Sequence, residues 1–284
     1  MEESTFLRIA TPGGGTVHVR RGNNDHFWRS YENGSWEPET SAVFRRFIDP
    51  QRSYVDIGAW IGPTLLLGCQ LAKRAYGVEP DPIAFAELLE NIQHNRPLTD
   101  NVRLFNLCIT PVSGKVSFGS RGTGGDSMSS LLFSSEATSW KVEGIKFEDW
   151  IKQNDISDCT FVKIDIEGGE YSLLPSMRTF LRCNRPTVLL SLHPCFLGDL
   201  GAQGAKAKLK NSLLRFKSTL QILHLLAFYK YLYSPRGRCP SCTHHSRFVQ
   251  ILDRAPWKPA VLFLSCLYGL LGRPHELLLT DRPW

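Results

Sequence analysis

Charged side chains follow an apolar run between Phe161 and Glu170, where the chain reads Phe-Val-Lys-Ile-Asp-Ile-Glu-Gly-Gly-Glu. Successive side chains of a strand point to opposite faces, which predicts Lys163, Asp165 and Glu167 on one side. Charged groups at the end of a buried strand are costly unless they pair or bind something. They form either a structural ion network or the mouth of a reaction site, and we favour the reaction site.

A glycine turn, Asp56-Ile-Gly58-Ala59-Trp60-Ile-Gly62, is the second feature that could do chemistry. It follows an apolar run and precedes a helical pattern, which is the context that a cofactor-binding turn needs. A dinucleotide fingerprint would have glycine where Trp60 stands, so a pyrophosphate would clash. A cofactor without phosphates fits better, and S-adenosylmethionine is the common one. The alternative is that Gly58 and Gly62 only make a tight turn.

Acidic residues complete the predicted cofactor site. Asp56 can balance the sulfonium and ammonium charges of such a cofactor. Glu79, followed by Pro80, ends the next predicted strand and can accept both ribose hydroxyls. Trp36 and Glu37 precede the sheet and are predicted to fold over the cofactor, unless Trp36 is a surface aromatic beside a turn.

His193 follows a further apolar run, 188–192. The carboxyl end of a parallel strand is where ligands bind in open α/β sheets, so His193 is a candidate general base together with Asp165 and Glu167. A structural histidine is the alternative. Asp165 and Glu167 could instead hold Mg²⁺, but the prediction includes no metal.

Short apolar runs alternate with helical patterns from residue 53 onward, which indicates a mostly parallel sheet flanked by helices. Strands are predicted at 54–57, 75–79, 102–107, 116–118, 131–133, 161–166, 187–192, 247–252 and 276–280, the last ones antiparallel. Helices are predicted at 64–73, 85–92, 146–152 and 171–181. Residues 1–50 are interpreted as a leading segment on the core, and residues 51–284 as one domain.

The carboxy-terminal part contains a predicted insertion, 205–245. Apolar residues in it step by three and four, which predicts a helix with a broad apolar face: Leu209, Leu213, Phe216, Leu220 and Leu223. Cys239, Cys242, His244 and His245 are ligand types for zinc, but their crowded spacing favours a loop with free thiols.

Composition narrows the function classes. The 284 residues carry a net charge of +6 that is not gathered into a stripe, so nucleic-acid binding is not expected. The eight scattered cysteines and the absence of a signal-peptide pattern predict reduced thiols in the cytoplasm. No apolar run is long enough to span a bilayer, whereas peripheral membrane contact stays open.

These segments together resemble the FkbM family of methyltransferases, over roughly residues 34–194. Asp56, Gly58, Ala59, Gly62 and Glu79 match the cofactor segment of the family, and Asp165, Glu167 and His193 match its carboxyl-end positions. Ser191 stands where the family often has glutamate, which weakens a mechanism that needs a further carboxylate or a metal there. The resemblance implies a Rossmann-like class I methyltransferase fold and O-methylation of natural products or sugars.

The predicted function is therefore S-adenosylmethionine-dependent O-methylation of a small molecule or glycan. Two alternatives stay open: N-methylation of an amine or protein, and a Rossmann-like binding module without catalysis. An amine can arrive neutral and has less need of a general base.

Overall fold

The computed structural model describes residues 5–12, 14–120, 124–125, 138–199, 201, 203–235 and 258–284. Its strands are β1 Phe6–Ala10, β2 Thr16–Arg20, β3 Ser53–Ile57, β4 Arg74–Val78, β5 Val102–Phe105, β6 Cys108–Ile109, β7 Gly114–Ser120, β8 Thr138–Ile145, β9 Cys159–Ile164, β10 Thr187–Leu192, β11 Tyr231–Tyr233 and β12 His275–Thr280. Its helices are α1 Asp25–Glu32, α2 Pro38–Phe47, α3 Pro63–Gly68, α4 Pro82–His94, α5 Phe147–Gln153, α6 Glu170–Ser176, α7 Arg178–Asn184, α8 Ala205–Leu225 and α9 Lys258–Leu271, with a 3-10 turn at Pro194–Phe196.

A seven-stranded sheet organises the chain, in the order β11-β12-β10-β9-β3-β4-β5. Strands β10, β9, β3, β4 and β5 pair in parallel, while β12 runs antiparallel to both of its neighbours. This is the mostly parallel α/β sheet predicted from the alternating pattern, with an antiparallel strand near one edge. The carboxyl ends of β3, β4, β9 and β10 meet at one edge, which is where such sheets bind ligands.

Alternating side chains of the central strands divide the core into two layers. Val55 and Val162 join a hydrophobic cluster on one face of the sheet, and their neighbours Tyr54 and Phe161 join the cluster on the other face. Helices cover both faces because a parallel strand buries both rows of its side chains. Every residue of β3 is buried.

The segment before the sheet packs on the second cluster. Val17, Trp28 and Phe44 are fully buried in it together with Tyr54 and Phe161. The hairpin of β1 and β2 and the helices α1 and α2 thus form part of the wall that surrounds the sheet. A small sheet in the order β6-β8-β7 follows β5.

Several predicted boundaries differ from the structure. Helix α3 ends at Gly68 instead of continuing to residue 73, and the helix predicted over 171–181 is two helices, α6 and α7, that meet at Met177. Pro175 lies inside α6 and lacks the amide proton that a continuous helix would use, which accounts for the interruption.

Part of the predicted insertion 205–245 belongs to the central sheet. Its residues Tyr231–Tyr233 form β11 and pair with β12, so this interval supplies an edge strand of the central sheet. Three residues are too few for the pattern to separate them from the helix before them. The strands predicted at 131–133 and 247–252, and Cys239, Cys242, His244 and His245, lie outside the described residues.

Helix α8 forms over the predicted positions, but most of its apolar stripe faces solvent. Leu223 is buried, whereas Leu209, Leu213 and Leu220 are 60%, 55% and 48% exposed. Among the described residues, no helix is long and apolar enough to cross a membrane.

Candidate active site

A cavity of about 270 Å³ lies at the carboxyl ends of β3, β4, β9 and β10. Its volume is close to the lower limit of about 300 Å³ for small-molecule sites. Polar groups of the wall come from segments distant in sequence: Glu37, Thr64, Glu79, Lys163, Asp165, Glu167, Ser191, His193, His275 and Glu276. The sheet brings them together because parallel strands end at the same edge.

The turn after β3 requires glycine at position 58. Gly58 has φ +86°, and a Cβ atom there would lie 1.9 Å from the backbone oxygen of Asp165. The amides of Gly58 and Ala59 both donate to the carbonyl oxygen of Val78. The turn is thereby held between β4 and β9, and its backbone lines the cavity.

Glu79 joins this turn to the end of β4. Its two carboxylate oxygens accept the amides of Trp60 and Asp81, each at 2.8 Å. Burial raises the pKa of Glu79 to about 7, although these two hydrogen bonds act in the opposite direction. The carboxyl group lines the cavity beside Pro80, in the position predicted for a ribose contact.

Lys163 is a buried cation between two carboxylates. It is the register partner of Asp56 in β3, and its Nζ lies 3.6 Å from Asp56 Oδ1 and 3.3 Å from Asp165 Oδ2. Burial alone would lower the pKa of Lys163, but Asp165, Asp56 and Glu37 outweigh it and raise that pKa. Burial opposes ionisation of Asp165 too, yet Lys163 and His193 hold the pKa of Asp165 below its usual value.

Asp56 itself does not line the cavity. It is fully buried, and its Oδ2 accepts the hydroxyls of Tyr54 and Thr64, each at 2.6 Å. The sequence predicted a direct contact of Asp56 with a cationic cofactor, but it is the partners of Asp56, Lys163 and Thr64, that line the cavity. Gly62 also lies outside the wall, where its φ of +98° allows the turn into α3 beside Leu88.

His193 lies among three carboxylates. Its Nδ1 is 3.0 Å from Glu170 Oε1, and its Nε2 is 3.7 Å from both Asp165 Oδ1 and Glu167 Oε2. Burial would lower the pKa of His193, but the hydrogen bond and charge of Glu170, with the charges of Asp165 and Glu167, raise it to about 9. The imidazole is therefore protonated at neutral pH.

Glu167 has an intermediate acidity. Burial raises its pKa to about 7, and the negative charges of Asp165 and Glu170 add to that effect, while His193 acts against it. Glu167 is not part of the strand, since β9 ends at Ile164 and Glu167 has φ +51°. Strand alternation was thus the wrong reason for placing it beside Asp165: a turn brings both carboxylates to His193.

Three residues other than glycine line the cavity in a left-handed backbone conformation. Glu37, Trp60 and Glu167 have φ angles of +38°, +49° and +51°. Such conformations are unfavourable for residues with a Cβ atom and cluster at functional sites, where the surrounding structure holds them. Their concentration here marks this cavity as the candidate active site.

The leading segment closes one side of the cavity. Trp36 and Glu37 lie in the wall, as expected from the sequence, together with Phe27. The Phe27 ring packs edge-on against Trp36 and Trp60, with centroids 5.2 and 4.5 Å apart. Burial raises the pKa of Glu37 to about 7, and Asp165 contributes further.

Sequence reasoning missed several residues of the site. Glu170 ends the charged segment but was not predicted as a site residue. Its fully buried carboxylate accepts the amides of Ile166 and Gly168 and contacts His193. Its position at the end of the Glu-Gly-Gly-Glu run was the available signal. His275 and Glu276 reach the wall from β12, and no motif around them indicated this.

Asp165, Glu170 and His193 are also grouped as metal ligands would be, with one ligand atom of each within 4.8 Å of the others. The Glu170 oxygens, however, already accept two backbone amides and the His193 ring nitrogen. Ser191 donates to Asp165. The contacts of Glu170 hold it against the His193 ring.

Comparisons with known proteins identify a family. The family model described as "Methyltransferase FkbM domain" matches residues 56–231, more than half of the chain. No curated protein matches the chain.

Similar solved structures include a methyltransferase FkbM from Methylobacillus flagellatus KT, with 20% identity and a TM-score of 0.38 over 54% of this chain and 36% of that chain. The chain thus spans about a third of the length of that relative. An rRNA methylase from Streptococcus thermophilus has 8% identity and a TM-score of 0.41, over 86% and 95% of the two chains. An RNA methyltransferase from Salinibacter ruber in complex with S-adenosyl-L-homocysteine has 15% identity and a TM-score of 0.32, over 55% and 74%.

Proposed function

We propose, because the chain belongs to the FkbM methyltransferase domain family, that the protein transfers a methyl group from S-adenosylmethionine to a hydroxyl group of a small molecule or sugar. The observation that carries the proposal is the pair of Glu167 and His193 in the wall of a cavity with excess negative charge. A hydroxyl acceptor needs a proton acceptor, and this pair supplies one.

The charge of the cavity supports a cationic cofactor. Its wall contains five carboxyl groups (Glu37, Glu79, Asp165, Glu167 and Glu276) against two cations, Lys163 and the protonated His193. Such a wall attracts sulfonium and ammonium groups and repels a pyrophosphate. The raised pKa values of Glu37, Glu79 and Glu167 indicate buried carboxyl groups that a bound cation would help to ionise.

We assign the cofactor to the β3 and β4 ends of the cavity. The backbone of Gly58 and Ala59 allows close approach, Glu79 beside Pro80 faces the ribose, and Glu37 closes over it from the leading segment. Asp56 acts indirectly, by holding Lys163 and Thr64. Gly62 shapes the entry into α3.

The β9 and β10 ends of the cavity then hold the acceptor. S-adenosylmethionine, when bound, supplies an electrophilic methyl group that is activated by its sulfonium charge. Glu167 would accept the proton of the acceptor hydroxyl while the carbon–oxygen bond forms and the methyl carbon–sulfur bond breaks, with S-adenosylhomocysteine as the leaving group. Its pKa of about 7 suits a base at neutral pH. His193 is protonated and held by Glu170, and its Nε2 faces the carboxylates of both Glu167 and Asp165, which it orients.

The test uses the purified full chain with methyl-labelled S-adenosylmethionine and a fractionated extract of small molecules and sugars. We expect label in a low-molecular-weight product that survives mild base, because a methyl ether is stable where a methyl ester is not. Calorimetry with S-adenosylmethionine and with NAD checks the cofactor separately. Label only in protein, or in an amine, would refute the hydroxyl acceptor, and an absence of S-adenosylmethionine binding would refute the proposal as a whole.

A further inference from the structure

Helix α8 exposes an apolar strip along its length. At 3.6 residues per turn, four of its exposed side chains fall within a sector about 60° wide: Leu209, Leu213, Phe216 and Leu220. The helix packs on the protein through the sector on one side of this strip, where Thr219, Ile222 and Leu223 are buried. A continuous exposed apolar strip of this kind marks an interaction surface.

Lysines line the edge of this strip. The sector of about 40° next to the strip contains three exposed lysines, Lys206, Lys210 and Lys217. Helix α8 carries five Lys and Arg residues and no Asp or Glu. The surface therefore combines apolar contact with a single sign of charge.

Helix α9 packs against α8 and also exposes apolar side chains. Gly269 lets α9 approach α8 closely, since a Cβ atom there would lie 2.6 Å from the Thr219 hydroxyl oxygen. After Lys258, α9 has no charged residue, and its Phe263 and Leu271 are 57% and 53% exposed.

We propose that this α8 surface, defined by Leu209, Leu213, Phe216, Leu220 and the three lysines, docks on an anionic lipid bilayer. A bilayer offers an apolar layer directly beneath anionic headgroups, which matches an apolar strip with lysines at its edge. The lysine stems can lie along the strip while their ammonium groups reach the phosphates. Neither helix spans a bilayer, so the contact is peripheral. This inference does not depend on the proposed methyl acceptor.

The surface also lies beside the candidate active site. Arg215 of α8 donates to the carbonyl oxygens of Cys195 and Leu197, just after His193. The Tyr171 hydroxyl, one residue after Glu170, contacts Thr219 of α8 at 3.2 Å. Arg215 and Thr219 are left unchanged in the test for this reason.

The test is vesicle flotation of the full chain with phosphatidylcholine vesicles, with and without about 30% phosphatidylserine. We expect binding only to the anionic vesicles, and weaker binding at high salt. The double variant Leu213→Glu/Phe216→Glu should abolish binding. Its matched control is Val112→Glu, since Val112 is 70% exposed but lies between β6 and β7.

The charge component has its own pair of variants. Lys206→Glu/Lys210→Glu/Lys217→Glu should bind anionic vesicles at least about a hundredfold more weakly, from roughly one factor of five per lost cation. The control with the same charge change is Lys115→Glu/Lys146→Glu/Lys152→Glu, which are exposed elsewhere. Thermal denaturation should show that all variants remain folded.

Several results would overturn the proposal. The first is that the protein binds neither kind of vesicle, and the second is that the surface variants bind as well as their controls. The third is that light scattering shows a dimer that Leu213→Glu/Phe216→Glu converts to a monomer. The dimer would assign the surface to a second copy of the chain.

Discussion

Glu167 is the residue whose environment defines the chemistry most directly. With its pKa near 7 and that of His193 near 9, the pair predicts two limbs in the pH dependence of kcat at saturating S-adenosylmethionine. Activity should rise through pH 7 as Glu167 loses its proton, and fall above pH 9 as His193 loses the charge that orients it. Glu167→Gln should lower kcat by about a hundred- to ten-thousandfold and remove the rising limb.

The control for this variant is S-adenosylmethionine binding, which should remain measurable because Glu167 is assigned to the acceptor end. If Glu167→Gln kept kcat and the same pH profile, Glu167 would not be the base, and His193 or a neutral amine acceptor would have to be considered again.

Glu170 acts through His193 and is a positioning residue. Its hydrogen bond and charge are the largest causes that raise the pKa of His193. Glu170→Gln should therefore lower that pKa and move the falling limb of the pH profile below pH 9. NMR titration of the His193 ring measures this directly. A purely structural role would change stability and leave the ring pKa unchanged.

At the scale of elements, the closeness of β3 and β9 determines what position 58 tolerates. Gly58→Ala would combine an unfavourable φ of +86° with a Cβ atom 1.9 Å from the Asp165 oxygen. We expect a lower melting temperature and loss of S-adenosylmethionine binding, because the turn and the Asp165 strand end must separate. Thermal denaturation and calorimetry measure the two effects.

Gly14→Ala is the matched control for this variant. Gly14 has φ +87°, and a Cβ atom there would have no neighbour within 4 Å. It should show only the backbone cost, about 1–2 kcal/mol, with cofactor binding intact. Equal losses in both variants would mean that the close approach of the strands is unimportant.

The elements were in large part predictable. The central strands and α4 appear within a few residues of their predicted bounds, because short buried strands and an amphipathic helix have distinct periodicities. The division of α6 from α7 and the edge strand β11 were missed, since a proline interruption and a three-residue strand leave little periodic signal.

At the scale of the whole molecule, the cavity collects negative charge from distant segments. Glu37 comes from the leading segment, Glu79 from the end of β4 and Glu167 from the turn after β9. Burial raises the pKa of each to about 7. Binding of a cation favours their ionised forms, so S-adenosylmethionine should bind more tightly as pH rises from 5.5 to about 7 and release protons on binding.

S-adenosylhomocysteine provides the matched comparison, because it lacks the sulfonium charge. Its affinity should change less over the same pH range. Calorimetry in buffers of different ionisation enthalpy counts the released protons. The same pH dependence for both ligands would contradict a cavity tuned to the sulfonium.

The sequence by itself determined the family, the cofactor and the kind of sheet. The glycine turn with Trp60 argued against a dinucleotide, and the Lys-Ile-Asp-Ile-Glu segment carried the resemblance that the family match over residues 56–231 confirmed. Such features are local: a turn, a strand end and their spacing are written in consecutive residues.

Only the tertiary structure decided what each charge contacts. In the structure, Asp56 contacts Lys163 and does not line the cavity, and Glu170 contacts His193. Glu276 of β12 lies in the cavity wall, and the apolar strip of α8 is exposed to solvent. The pKa values that separate Glu167 from His193 also depend on burial and on charges from several elements. These properties arise between segments far apart in the chain, and no local pattern specifies them.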